Sequence, residues 1–255
     1  MMPSLASGLL LILFVVVGQA PPSDNPVPLQ PGQEEAAEAE IARVEPLALI
    51  GKEAPELVLD DLSGKPFDLS NLSEQVVVLE WTLPECRFTR RLYAQHKVVP
   101  LKRRWAKQGV RWISVNSAFF AHPIKIQPWI DKYAIKHPYV LDPTGRCAEQ
   151  FGVRNSPTYL VLDRGIVVYH GALDDDVWGN QPSRKQYLDD AIRQVVEGVP
   201  VANSLTRTYG MEIRTRRTED LRRAGLEQMR REALERESDP APSPSDEGST
   251  EGSGR

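Results

Sequence analysis

The stretch FGVRNSPTYLVLD, residues 151–163, decides how the middle of this chain folds. Phe151, Gly152 and Val153 close a short helical segment, GRCAEQFGV. Pro157 has a fixed φ and no N–H, and it biases Ser156 toward extended backbone, so a helix cannot run through this point. Thr158–Asp163 is then rich in aromatic and β-branched residues bounded by turn formers, the composition of a buried strand. GIVVYHGALD, residues 165–174, supplies a second strand beside it.

Working outward, strand and helix signals alternate. QVVVLEW (75–81) and VRWISVNS (110–117) are apolar runs of strand length, and HPYVLD (137–142) is a shorter extended piece. RRLYAQHKVVPLKRRWAKQG (90–109) fits a helix bent or broken at Pro100 and ended by Gly109. IQPWIDKYAIK (126–136) fits a short helix. In SRKQYLDDAIRQVVEG (183–198), Tyr187, Leu188, Ala191, Ile192, Val195 and Val196 share one face of a closing helix. APELVLDDLSGKPFDLSNL (54–72) has two extended stretches around the turn residues Asp61–Gly64, a hairpin. Strands alternating with helices predict an α/β domain with parallel pairs, and the late strand pair adds an antiparallel edge. The expected fold is therefore a mixed central sheet flanked by helices, with an N-terminal hairpin.

The flanks differ in composition. Leu9–Val17 is an apolar run followed by Gly18-Gln19-Ala20. That is shorter than the roughly 20 residues of a membrane-spanning helix and has the small residues of a cleavage site, so residues 1–20 are expected to be a signal peptide. The mature chain is then secreted or periplasmic, with no stable membrane span; the alternative is anchoring by an uncleaved N-terminus. Residues 21–47 hold PPSDNPVPLQPGQ and EEAAEAEIARVE, a Pro- and Glu-rich linker. Residues 201–238 form an extension with the charged helix TEDLRRAGLEQMRREALERES, expected to be solvated or loosely docked. Residues 239–255 have a disordered composition. The 255-residue chain is 41% apolar, enough for a sizeable core, and its net charge of −4 gives no reason to expect nucleic-acid binding.

Two cysteines carry most of the chemistry. Cys86 lies in EWTLPECRFTRR (80–91), between a strand and a helix start, followed by Arg87, Arg90 and Arg91. Unpaired N–H groups at that helix start and the nearby arginines favour a thiolate, the reactive form. A second cysteine three residues on is missing, because position 89 is Thr89.

The order of hairpin, strand, tryptophan loop with cysteine, helix, strand, helix and FGVRNSPTYLVLD resembles the thioredoxin superfamily. Within it, the chain is similar to the redoxins (alkyl hydroperoxide reductase and thiol-specific antioxidant type) over roughly residues 48–200. The hairpin resembles the opening hairpin of redoxins, and residues 141–173 resemble the second half of periplasmic thiol-disulfide oxidoreductases. EWTLPEC, GALDD and TRTYG together resemble a narrower, often exported group. The resemblance implies a thioredoxin fold, a cis Pro157 facing Cys86, and Trp81 packed beside that cysteine. It also implies that Trp81, Ser156, Pro157 and Thr158 bind substrate, the proline loop pairing with its backbone. The chain departs from the group's pattern. Arg87 replaces a proline after Cys86, and Met211 follows Tyr209-Gly210 where that group carries a cysteine.

Two chemistries suit Cys86. In peroxide reduction the thiolate attacks the O–O bond, with Thr89 and Arg154 expected near the leaving oxygen. In thiol-disulfide exchange a mixed disulfide forms with a protein partner, and an external thiol or Cys147 releases it. Cys147 is a resolving thiol, a disulfide partner of Cys86 or a buried helix residue. The expected activity is a thiol-dependent oxidoreductase or antioxidant. The alternative is a catalytically inactive binding module whose proline loop holds a partner segment. His96, His122, His137 and His170 show no metal-ligand spacing, and no phosphate loop or hydrolase triad is present, so no metal or cofactor is expected.

Overall fold

A computed structural model of the protein describes residues 45–238. The expected signal peptide, most of the linker and the C-terminal tail lie outside these residues. After a single helical turn, α1 (Pro46–Leu49), come β1 (Val58–Asp61), β2 (Pro66–Asp68) and β3 (Val76–Trp81). Then follow α2 (Arg87–Ala94), α3 (Val99–Ala106), β4 (Arg111–Asn116), α4 (Pro123–Tyr133), β5 (Tyr139–Leu141) and α5 (Arg146–Gln150). The last elements are β6 (Asn155–Ser156), β7 (Thr158–Asp163), β8 (Ile166–Gly171), α6 (Tyr187–Val196), β9 (Met211–Glu212) and α7 (Arg216–Ser238).

Seven strands form one mixed sheet in the order β2-β1-β5-β4-β3-β7-β8. The β3–β4 and β4–β5 pairs are parallel, and β3–β7, β7–β8, β1–β5 and β1–β2 are antiparallel. This is the thioredoxin fold with a redoxin hairpin, as the order of elements predicts. β3 sits centrally, and its alternation sorts the core. Val77, Leu79 and Trp81 face one layer with Phe151, Val153 and Cys86, while Val78 faces the other with Tyr93, Trp105, Trp112 and Ile192. Of the expected α6 face, Leu188, Ala191 and Ile192 are buried, whereas Val196 is 39% exposed.

The helix expected over residues 90–109 is two helices. Its break falls at Gln95–Val98, not at Pro100, with His96 in left-handed backbone at φ 55°. Pro100 stands in the first turn of α3, where a missing N–H costs nothing.

Both edges of the sheet are closed or short. β2 has three residues. β8 is met by chain from both sides. Gly51 N–H donates to Val167 O at 2.8 Å and Val167 N–H to Lys52 O at 2.9 Å. Further along, His170 N–H donates to Ser204 O at 2.8 Å and Thr206 N–H to His170 O at 3.1 Å.

The extension after residue 200 is packed onto the domain before it becomes helix. Ile213 is 3% exposed and joins the layer that contains Cys86. α7 matches the solvated reading along most of its length, with Leu226, Met229 and Leu234 exposed. Its first turn is the exception: Glu219 is buried and accepts from Arg214, Arg222 and Arg223.

Candidate active site

β3 ends at Trp81 and α2 begins at Arg87, so the five intervening residues form the loop that carries Cys86. Cys86 is the N-cap of α2, its carbonyl accepting from Arg90 N–H at 2.9 Å. The side chain makes no capping bond, which leaves the sulfur beside the free N–H groups of the first turn. Facing it is the Ser156–Pro157 peptide, which is cis. Cys86 Sγ donates to Ser156 O at 2.9 Å, a bond that only the protonated thiol can make.

Ser156 ties the two halves of the site together. Its Oγ accepts from Leu83 N–H at 3.0 Å, donates to Trp81 O at 3.4 Å, and lies 3.1 Å from Thr89 Oγ1. Thr158 Oγ1 donates to Asn155 O at 2.7 Å, holding the turn around the proline. Trp81 is fully buried. Its Nε1–H donates to Ser117 Oγ at 3.0 Å, and Ser117 in turn donates to Asp142 Oδ2 at 2.7 Å. The expected residues Trp81, Cys86, Thr89, Ser156, Pro157 and Thr158 therefore meet in one place.

Arg154 does not join them. Its guanidinium pairs with Glu45 at 2.7 Å on the exposed flank. Arg91 is likewise committed elsewhere, donating to Val177 O at 2.7 Å and Asp176 O at 3.0 Å. Cys86 and Cys147 are both free and buried. Burial, assisted by Asp142, pushes the Cys147 thiol up to about 12, so it stays protonated at neutral pH. Among the described residues no group of three His, Cys, Asp or Glu side chains is placed to hold a metal ion.

Two features escape sequence reasoning. On the face of β3 away from Cys86, Glu80 is fully buried and forms an ion pair with Lys102 at 2.6 Å. Tyr93 and Trp112 also donate to this carboxylate, at 3.0 and 2.9 Å. A lone acid inside the apolar run QVVVLEW was the visible signal. The second feature is β9. Met211 pairs with Ser156 and Glu212 with Asn155, so the extension lies against the proline loop. Tyr209 anchors it. The Tyr209 hydroxyl donates to Asp174 Oδ1 at 2.6 Å, and its ring lies 6.0 Å from that of Phe88. Asp174 is also paired with Arg184 at 2.9 Å.

A cysteine at a helix start, set against a cis-proline loop, is thus carried on a thioredoxin fold. The AhpC/TSA family model matches residues 50–170 of this chain. A curated relative, the thiol-disulfide oxidoreductase ResA of Bacillus thuringiensis subsp. konkukian, is 26% identical over 153 residues. That match covers 57% of this chain and 78% of the relative. An uncharacterized conserved protein from Geobacillus kaustophilus shares the fold at TM-score 0.60 and 23% identity, covering 65% of this chain and 91% of that one. A hypothetical protein from Sinorhizobium meliloti 1021 does so at 0.59 and 23%, covering 65% and 94%.

Proposed function

We propose that the protein is an exported thiol-disulfide oxidoreductase whose reacting group is Cys86. The observation that carries this reading is the placement of Cys86 Sγ, 2.9 Å from Ser156 O at a helix N-terminus. The Cys86 thiolate attacks one sulfur of a partner disulfide. A Cys86–partner bond forms, the partner S–S bond breaks and the other sulfur leaves as a thiolate. An external thiol, losing its proton to solvent, then attacks the partner sulfur; the Cys86–partner bond breaks, Cys86 leaves as a thiolate and the partner is freed as a mixed disulfide with that thiol. With its own thiol held protonated by burial, Cys147 is a poor resolving group. The names of relatives such as ResA favour the same chemistry.

Disulfide exchange is favoured over peroxide reduction by the position of Arg154. Peroxide cleavage needs a donor for the leaving oxygen, and this guanidinium is held by Glu45. Thr89 is left as the nearby hydroxyl. The inactive-module reading draws on the full burial of Cys86. The deciding experiment incubates the reduced mature protein with oxidised glutathione and maps adducts by mass spectrometry. A glutathione adduct on Cys86, absent in Cys86→Ser and released by added dithiothreitol, is expected. An unmodified Cys86 under conditions that modify a free thiol would falsify the reading.

A further inference from the structure

The pairing of β9 with β6 puts a strand of this chain where a partner's strand would lie. An extended peptide recognised at a proline loop pairs its backbone with the free edge of that loop, in the manner of strand addition. Here that edge, Asn155–Ser156, is already paired with Met211–Glu212, and Ile213 N–H donates to Arg154 O at 2.9 Å. The approach is as close as backbone permits. A Cβ on Gly210 would lie 2.0 Å from Ser156 O, the same carbonyl that accepts the Cys86 thiol. Beyond it the segment is held by Tyr209 on Asp174 and by Arg214 O, which accepts from Phe119 N–H at 2.8 Å.

We propose that residues 209–213 act as an internal strap that stands in for a substrate strand and selects the substrate class of Cys86. With the strap seated, a small disulfide, which needs no strand pairing, has an easier approach to the buried thiol than an extended polypeptide disulfide; release of the strap opens the edge to polypeptides. This rests on the redox reading of Cys86 given above.

The test uses two probes with one leaving group, 2,2′-dipyridyl disulfide and an extended peptide of about ten residues whose cysteine is activated as its 2-thiopyridyl disulfide. In each reaction the thiol proton goes to solvent and Cys86 Sγ bonds to the probe sulfur. The probe S–S bond breaks and its pyridyl sulfur leaves, taking a proton from solvent to become pyridine-2-thione, so Cys86 is oxidised as the probe disulfide is reduced. Thione release gives the rate, and peptide mapping assigns the adduct to Cys86 rather than Cys147. Wild type is compared with Gly210→Ala, which expels the strap by contact with Ser156 O, and with Tyr209→Phe, which only loosens its anchor. Tyr209→Phe serves where Gly210→Ala does not fold.

In wild type the small probe is expected to outpace the peptide. In Tyr209→Phe the peptide rate should rise about tenfold, the factor that loss of one hydrogen bond of ordinary strength gives. The small-probe rate should change far less. Peptide and small-probe rates that are equal in wild type, or a peptide rate unmoved in both folded variants, overturn the strap while leaving Cys86 reactive. Failure of both probes to label Cys86 in every form overturns the redox reading, and the strap proposal with it.

Discussion

At the scale of single residues, the buried Glu80–Lys102 pair is the most exposed to test. Glu80 has no solvent contact, and the Lys102 side chain is 9% exposed. Burial pushes the Lys102 ammonium below its ordinary value, while Glu80 opposes that shift. Neither charge has water to replace the other. Lys102→Met alone leaves a buried carboxylate without its counter-charge and is expected to cost about 3–5 kcal/mol, whereas Glu80→Gln with Lys102→Met should recover most of that loss. Denaturant midpoints of the single and double variants check this, and additive losses would refute it. Ser156 offers a second test. Its hydroxyl serves Leu83, Trp81 and Thr89 at once. Ser156→Ala strands the Leu83 N–H and should cost about 1–3 kcal/mol in denaturant unfolding.

At the scale of elements, what the sequence showed depended on length and period. β3, β4 and β7 are apolar runs of six residues, long enough to declare themselves. The cysteine-and-proline pairing was legible only through the resemblance to redoxins carried by EWTLPEC and FGVRNSPTYLVLD. β6 and β9 have two residues each, in Asn-Ser and Met-Glu, with no period to read. Arg154 was misplaced because it lies just before β6, where no strand period fixes its direction, and its partner Glu45 is more than a hundred residues away in sequence. The break between α2 and α3 was put at the proline because Pro signals are strong, whereas left-handed His96 gives none.

Packing of the extension was equally hidden, because it is written in what glycines lack. A Cβ on Gly145 would lie 2.2 Å from Thr215 Cβ, and one on Gly171 would lie 2.0 Å from Thr206 Oγ1. Gly145 and Gly165 share a left-handed backbone, φ 82° and 80°, but Gly165 faces open space. Gly145→Ala should therefore cost about 1–3 kcal/mol more than Gly165→Ala, the difference being the collision with Thr215. Equal unfolding midpoints for the two variants would mean that the extension does not rest on α5.

At the scale of the whole molecule, buried His170 and half-buried His137 weaken the fold in acid. Burial pushes His170 down from 6.5 to about 4, and burial with nearby Lys102 pushes His137 down to about 2. Below about pH 6.5 the unfolded chain takes up protons that the folded one refuses, so stability falls as pH drops. For His170 the slope is at most about 1.4 kcal/mol per pH unit down to about pH 4. His170→Gln should flatten this part of the curve between about pH 7 and about pH 5, and an unchanged slope would remove His170 from the account. The closing of β8 has a consequence of its own. A long bare sheet edge is a template on which another chain can add a strand, the first step toward ordered aggregates. Residues 51–52 and 204–206 occupy that template on β8, and the opposite edge is three residues long. These two segments, one before the first strand and one after the closing helix, thus guard the sheet against recruitment of another chain.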